Sequence, residues 1–318
     1  MLVVCAQGLR VETAGGENLL DFATGGLLPM GHGRAEATET FARRGVSVVE
    51  RGIEHRSRVV LMRKLAELFP GGMNRRVALC DSGREAIARA VSLCTEQTGR
   101  RRVRYLAAIA RLRVEELRDA AAVVAHPFDS RLEQVAGLVS KSGAKLVVDE
   151  TEVAPGTSGR MLAVQWSGVR PDVLVLGKGL AAGLPLGACV TGSSRLHWDS
   201  DGGGGVPAAC EVALGYLLCL ERGLLQEVAA AADYLRERLQ CVLSGRASVR
   251  IAGAGLVLSL RFSDSSAAAG FRARCQEAGL LLARTASSSV GVRPAAVVTR
   301  AEVDEAANII GAVLTREG

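Results

Sequence analysis

Three stretches carry side chains suited to chemistry, and each follows a short apolar run. Asp81-Ser82-Gly83-Arg84-Glu85 follows Val77-Ala78-Leu79-Cys80 and opens a helical pattern. A hydroxyl, a glycine and the outward N–H groups of a helix start form a cradle for an anion such as phosphate. Asp149-Glu150 follows Leu146-Val147-Val148, and an acid at the end of an apolar strand is costly to bury without a cationic partner. Lys178, between Gly177 and Gly179, follows Val173-Leu174-Val175-Leu176. A lysine amine withdrawn from water loses its proton more readily and becomes a nucleophile. Taken singly, each has a plainer structural reading. Ser82 with Glu85 is a capping box, Asp149 an acid that reaches solvent, and Lys178 a side chain snorkelling out of a turn.

Taken together, the three are sharper. A phosphate cradle, a carboxylate and a lysine on strand ends are what pyridoxal 5'-phosphate requires. The helix start takes the phosphate, the acid keeps the pyridine nitrogen protonated, and the amine condenses with the aldehyde.

The elements that must position these groups are legible as a pattern. Val77–Cys80, Ala121–Val124, Leu146–Val148 and Val173–Leu176 read as buried strands separated by helices. One helix carries Ala86, Ile87, Ala90, Val91 and Cys94 on one face, another Leu132, Val135, Ala136 and Val139. Continuous Val/Leu runs alternating with helices predict an α/β fold, a mostly parallel sheet with helices on both faces. Ligands in such sheets bind at the carboxyl ends of the strands. The C-terminal third reads differently: long helices over Cys210–Gly223 and Leu224–Leu243, a strand over Gly255–Phe262, and helices near 266–278 and 301–315. It predicts a smaller α+β domain. The expected division is an N-terminal segment 1–50 packing on the small domain, a cofactor-binding large domain 51–222 and a small domain 223–318. The N-terminal segment shows Gly-rich turns and no strong period.

Composition narrows the partners. The chain has 318 residues, 48% hydrophobic and 23% charged, the balance of a globular enzyme rather than a disordered or fibrous chain. No uncharged apolar run reaches the ~18 residues of a membrane span, and the N-terminus has no basic leader; a cytoplasmic protein is expected. The net charge of +6 suits anionic small molecules. Its densest part, Arg100–Arg104, lacks interleaved aromatics, so it reads as a solvated surface loop and no nucleic-acid partner is expected. The eight cysteines form no C-x-x-C pair and the four histidines stand at no ligand spacing from them. Free thiols, and no metal site, are expected.

The run from Asp149 to Ala188 resembles the class III aminotransferases of the ornithine, acetylornithine and 4-aminobutyrate type. The matching pieces, in order and without a gap, are Val147-Val148-Asp149-Glu150, Gly159-Arg160-Met161, Gly168-Val169-Arg170-Pro171-Asp172-Val173, Gly177-Lys178-Gly179-Leu180 and Gly183-Leu184-Pro185-Leu186-Gly187-Ala188. Weaker matches are Asp21-Phe22, Gly31-His32-Gly33, Lys64–Leu68 leading to Ser82–Ala86, Gly204–Pro207, Gly253–Leu256 and Arg293-Pro294 with Glu302–Glu305. The resemblance implies the fold-type-I architecture of pyridoxal-phosphate enzymes and a homodimer with interfacial active sites. It implies Lys178 as the Schiff-base lysine and proton shuttle and Asp149 as the pyridinium partner. Ser82, Gly83 and Arg84 fall at the phosphate, Thr151 under the ring, and Glu152 where the family has a glutamine. Arg293 is implied as the arginine that receives the substrate carboxylate.

Departures accompany the match. The chain is short between Thr98-Gly99 and Ala121, where the family carries an aromatic-His-Gly turn; Tyr105 is the only aromatic residue nearby. His126-Pro127 replaces a Glu-Pro pair, Arg131 stands at a glutamate position, and Gly202 replaces a threonine given to the partner subunit's phosphate site. Arg131, facing the pocket, would favour substrates with an extra carboxylate. The first function predicted is transfer of an amino group from an amino acid or ω-amine to a 2-oxo acid. An aminomutase, racemase or decarboxylase would use the same Lys178–Asp149 pair. A third reading, favoured by the lost turn and altered contacts, is a non-catalytic dimeric homologue.

Overall fold

Short Val- and Leu-rich runs with no polar interruption form strands buried on both faces, and they set the architecture. A computed structural model of the chain describes residues 1–33, 55–71, 75–192, 204–246, 248–285 and 288–315. Gly202 and the later part of segment 1–50 lie outside them. The chain divides into two units.

The first unit is built from the described residues within 1–38, 156–160 and 218–318. It opens with β1 (Val3–Gln7), β2 (Arg10–Thr13) and β3 (Asn18–Phe22). The sequence showed no period here because the strands are short and joined by tight turns.

The second unit, within 39–155 and 161–217, begins with α1 (Arg56–Leu68) and β4 (Arg76–Cys80). There follow α2 (Gly83–Thr98), β5 (Arg102–Tyr105), β6 (Ala120–Ala125), α3 (Leu132–Ser142), β7 (Lys145–Glu150), β8 (Val173–Leu176), β9 (Gly187–Thr191) and α4 (Pro207–Cys219). The strand order is β4-β9-β8-β7-β6-β5. β5, β6, β7 and β8 are parallel, and only β9 runs against its neighbours. The mostly parallel α/β sheet read from the sequence is therefore what forms. β6 and β8 are buried at every residue, each large aliphatic side chain contributing roughly 1.5–3 kcal/mol of burial. α2 covers one face, setting Ala86, Ala90, Leu93 and Cys94 against Val147, Val173, Val175 and Cys189.

Arg100–Arg104 differs from its expectation as a solvated loop. Arg102–Tyr105 is an edge strand beside β6, because its charges meet acceptors of the protein itself. Arg102 pairs with Asp119 at 2.5 Å, and Arg100 donates to the Ala120 and Ser142 carbonyls at 3.1 Å each.

The chain completes the first unit with α5 (Leu225–Leu243), β10 (Arg250–Ala254), β11 (Val257–Arg261), α6 (Ser265–Glu277), β12 (Leu280–Arg284), β13 (Ser289–Val292) and α7 (Arg300–Thr315). The single strand expected over 255–262 is the second arm of a hairpin, β10 with β11, turned at Gly255. The sheet order is β1-β2-β3-β12-β13-β11-β10, with β3 parallel to β12. The N-terminal strands are thus continuous with the C-terminal α+β sheet.

All eight cysteines are free, and Cys80, Cys94, Cys189, Cys210 and Cys275 are buried. Burial pushes the Cys80 thiol up to about 11 and those of Cys94 and Cys275 to about 12, so these thiols are packing groups. Among the described residues no helix is long and apolar enough to cross a membrane, and no three His, Cys, Asp or Glu side chains cluster to hold a metal.

Candidate active site

The parallel register decides which side chains meet. In the β7–β8 ladder Asp149 faces Val175 and Glu150 faces Leu176. Asp149 and Gly177-Lys178 therefore leave the sheet at the same edge. β4 lies beyond the inverted β9, with Cys80 opposite Gly187, and points the same way. Its end, Asp81–Glu85, reaches that edge too.

Three residues bring the loops into contact. A Cβ on Gly83 would stand 2.8 Å from Thr151 Cβ and Cγ2 and 3.3 Å from Gly177 Cα. A Cβ on Gly177 would stand 2.3 Å from the Thr151 carbonyl oxygen. Only glycine fits at either place, since real Cβ contacts do not come under about 3 Å. The start of α2, the turn after β7 and the turn before Lys178 thus pack against one another.

Local chemistry explains each piece. Ser82 is the N-cap of α2, its Oγ accepting from Glu85 N at 3.2 Å. The Glu85 carboxylate turns back to accept from Asp81 N at 3.0 Å. The Gly83 and Arg84 N–H groups have no acceptor inside the helix, and they point out of its positive end. Asp149 is half-buried and accepts from Thr151 N at 2.9 Å. It shares its face of the sheet with Val147, the face α2 covers. Lys178 and Glu152 are exposed and Thr151 is half-buried. After Lys178 the chain turns through Ala182 at φ 49, the one non-glycine residue at positive φ among the described residues. That conformation costs about 1–2 kcal/mol, strain of a kind that collects at functional sites.

The residues present suit pyridoxal phosphate. The cradle that a Cβ would fill leaves two helix N–H groups and the Ser82 hydroxyl for a phosphate. A carboxylate stands on the α2 side of the sheet, and a primary amine follows the neighbouring strand. Arg293 belongs to the other unit, immediately after β13, and is half-buried there.

Arg131 finds its partners within the protein. Its Nε and one terminal nitrogen hold Asp129 at 3.1 and 3.0 Å, and the guanidinium also donates to the Leu106 and Ile109 carbonyls at 2.9 and 2.8 Å. These bonds tie the start of α3 to the turns after β5 and engage the guanidinium within the protein itself. The sequence could not show this, because the acceptors are backbone carbonyls brought near by folding.

Glu150 was passed over in the sequence. It is fully buried on the opposite face of β7, and its carboxylate accepts from Ala163 N at 2.9 Å and Val164 N at 2.7 Å. Burial pushes it up to about 7, against the pull of those two bonds. Its signal was a second acid closing an otherwise apolar strand.

A class-III aminotransferase family model matches residues 107–314. An acetylornithine aminotransferase of Archaeoglobus fulgidus is 27% identical over 304 residues, covering 79% of this chain and 78% of that one. One from Listeria innocua is 27% identical over 372 aligned positions, covering 99% and 95%. Among solved structures, the N-acetylornithine aminotransferase of Stenotrophomonas maltophilia superposes with a TM-score of 0.84 at 22% identity, over 99% of this chain and 96% of that one. The ornithine delta-aminotransferase of Plasmodium falciparum gives 0.82 at 20%, over 99% and 93%. Match, fold and sheet edge agree: the chain belongs to the class-III aminotransferases, enzymes that transfer amino groups with pyridoxal phosphate.

Proposed function

We propose that this chain moves the ω-amino group of a diamino acid, free or acylated, to a 2-oxo acid, using Lys178 and Asp149 as its central pair. The names of its relatives support the donor class. The observation that carries the site is the contact of Gly83, Thr151 and Gly177, which gathers three separate strand ends.

Bound there, pyridoxal phosphate supplies an aldehyde that condenses with amines and a ring that withdraws electrons from the carbon beside them. Ser82 Oγ and the Gly83 and Arg84 N–H groups bind the phosphate. Asp149 holds a proton on the ring nitrogen, the charge pair being stronger where water is scarce. Thr151 and Glu152 follow Asp149 in the same turn and would help to hold the ring. Lys178 Nζ is the amine that would hold the cofactor's aldehyde. The same amine would move a proton from the carbon that carries the donor amine. Arg293 receives a substrate carboxylate through a two-pronged contact.

Lys178, Ser82, Arg84 and Glu152 are all exposed in the single protomer. A homodimer in which a partner covers this edge would exclude the water such chemistry avoids. The free thiols suit the reducing cytoplasm. The decisive experiment records the absorption of the purified holoenzyme before and after borohydride and follows nitrogen transfer from ornithine or acetylornithine to 2-oxoglutarate. A cofactor band fixed covalently to the peptide holding Lys178, with transfer, is the expected result. A band that washes out, or fixation without transfer, overturns the reading.

A further inference from the structure

Asp21 and His32 form the tightest polar cluster of the first unit, and nothing in the chemistry above uses them. Asp21 closes β3 and is almost wholly buried. Its Oδ1 accepts from Ala23 N at 2.7 Å and Thr24 N at 3.1 Å. Its Oδ2 accepts from the Thr24 hydroxyl and from His32 Nε2 at 2.8 Å. A carboxylate only accepts, so Nε2 carries the hydrogen. His32 is itself fixed by paired backbone bonds with Gly8, 2.7 and 2.9 Å. Burial alone would raise the Asp21 carboxyl, but the bonds from His32, Thr24 and Ala23 outweigh it and hold the group below its ordinary range. A buried charge costs several kcal/mol to desolvate, and a simple surface turn needs none.

What this cluster holds is the backbone of Arg293. The turn fastened by Asp21 runs from Phe22 to Gly25. Arg293 N donates to Phe22 O at 2.7 Å, and Gly25 N donates to Arg293 O at 2.9 Å. A Cβ on Gly25 would stand 1.9 Å from Pro294 O and 2.6 Å from Arg293 O, so the two backbones touch with no room for a side chain. Arg293 is thus clamped at both its N–H and its carbonyl by a turn whose shape one carboxylate sets.

We propose that Asp21 and His32 are positioning residues for Arg293: the carboxylate–imidazole pair shapes the Phe22–Gly25 turn, and the turn fixes the arginine where it meets a substrate carboxylate. The proposal rests on the role given above to Arg293. Arginine's fork engages a carboxylate in two prongs only at a narrow set of angles. A misplacement of about 1 Å can cost up to about a hundredfold.

The test uses the holoenzyme and two readouts: the Kd of glutarate, a dicarboxylate that cannot react, by calorimetry, and the KM and kcat for 2-oxoglutarate. Arg293→Ala establishes the arginine's own effect. Asp21→Asn and His32→Ala are expected to raise the glutarate Kd and the 2-oxoglutarate KM roughly tenfold or more, while kcat and cofactor affinity change less than about twofold. His32→Gln, whose amide can donate to Asp21 in place of the imidazole, is expected to recover most of the loss. Should Asp21→Asn not fold, the His32→Ala and His32→Gln pair carries the comparison, with Thr24→Val as a milder cut. Glutarate binding weakened by Arg293→Ala and untouched by the Asp21 and His32 variants overturns the positioning role alone. Binding unmoved by Arg293→Ala overturns the Arg293 reading together with it. Equal losses of kcat, cofactor affinity and melting temperature reduce the cluster to a fold support and also overturn the proposal.

Discussion

Two parts of the same sheet use charge in opposite ways. At the edge formed by β4, β7 and β8, glycines bring loops into contact and leave donors and an amine facing outward. Around β5 and β6, the protein's own acceptors take up the cations. Arg131 is bound by Asp129 and two carbonyls, Arg100 by two more, and Arg102 by Asp119. A charged side chain at a strand end is therefore not yet a site. A group whose hydrogen-bonding capacity is spent internally stabilises the fold, and a group held in place with capacity to spare can meet a ligand.

The sharpest way to break that contrast is Lys178→Ala. Amino transfer should fall by about a thousandfold or more, with the melting temperature nearly unchanged because an exposed side chain contributes little to stability. Residual transfer within tenfold of wild type, in a coupled glutamate assay, would remove Lys178 from the chemistry. Gly83→Ala tests the close approach. The added methyl must push Thr151 or Gly177 aside, so the Kd of pyridoxal phosphate, read by absorbance titration, should rise about ten- to a hundredfold, equivalent to about 1–3 kcal/mol. An unchanged Kd would mean that the cradle is not where the phosphate sits.

Glu150 lies beneath this edge and titrates through folding. Its carboxyl is raised in the folded state to about 7 from 4.5, so the folded protein holds the proton more tightly than the unfolded chain. That contribution is complete below pH 4.5 and is lost as pH climbs towards 7, at no more than ~1.4 kcal/mol per pH unit. Urea melts from pH 5 to 8 should show stability falling across this window, and Glu150→Gln should flatten the fall. An identical slope in the variant would count against it. The smallest effect is expected beside β5 and β6. Arg131→Ala should lower stability by about 1–2 kcal/mol, through the Leu106 and Ile109 carbonyls and Asp129 left without their donor. KM values for mono- and dicarboxylic substrates should stay as they were. A selective rise in KM for dicarboxylic substrates at constant melting temperature would return Arg131 to the pocket.

Local pattern carried the large unit a long way. Val173–Leu176 and Ala121–Val124 have no polar residue to expose, so they had to be interior strands. Ser82 and Glu85 stand three apart, so they had to start a helix. Asp149 and Lys178 were visible because polar groups directly after such strands have few places to go. The short N-terminal strands and the edge strand Arg102–Tyr105 were hidden, since a few residues of mixed polarity look the same in a loop and in a sheet margin. Side-chain partnership was hidden as well. Arg131 and Arg293 are both arginines beside a turn, and nothing in their neighbours along the chain separates them. The fold separates them. It carries distant carbonyls to the guanidinium of Arg131, and it carries the Phe22–Gly25 turn to the backbone of Arg293. Residue type and spacing told which chemistry was available, because the functional group and the apolar pattern around it are written in neighbouring residues. Which partners each group meets was settled by contacts between residues tens to hundreds of positions apart, because only folding brings those residues together.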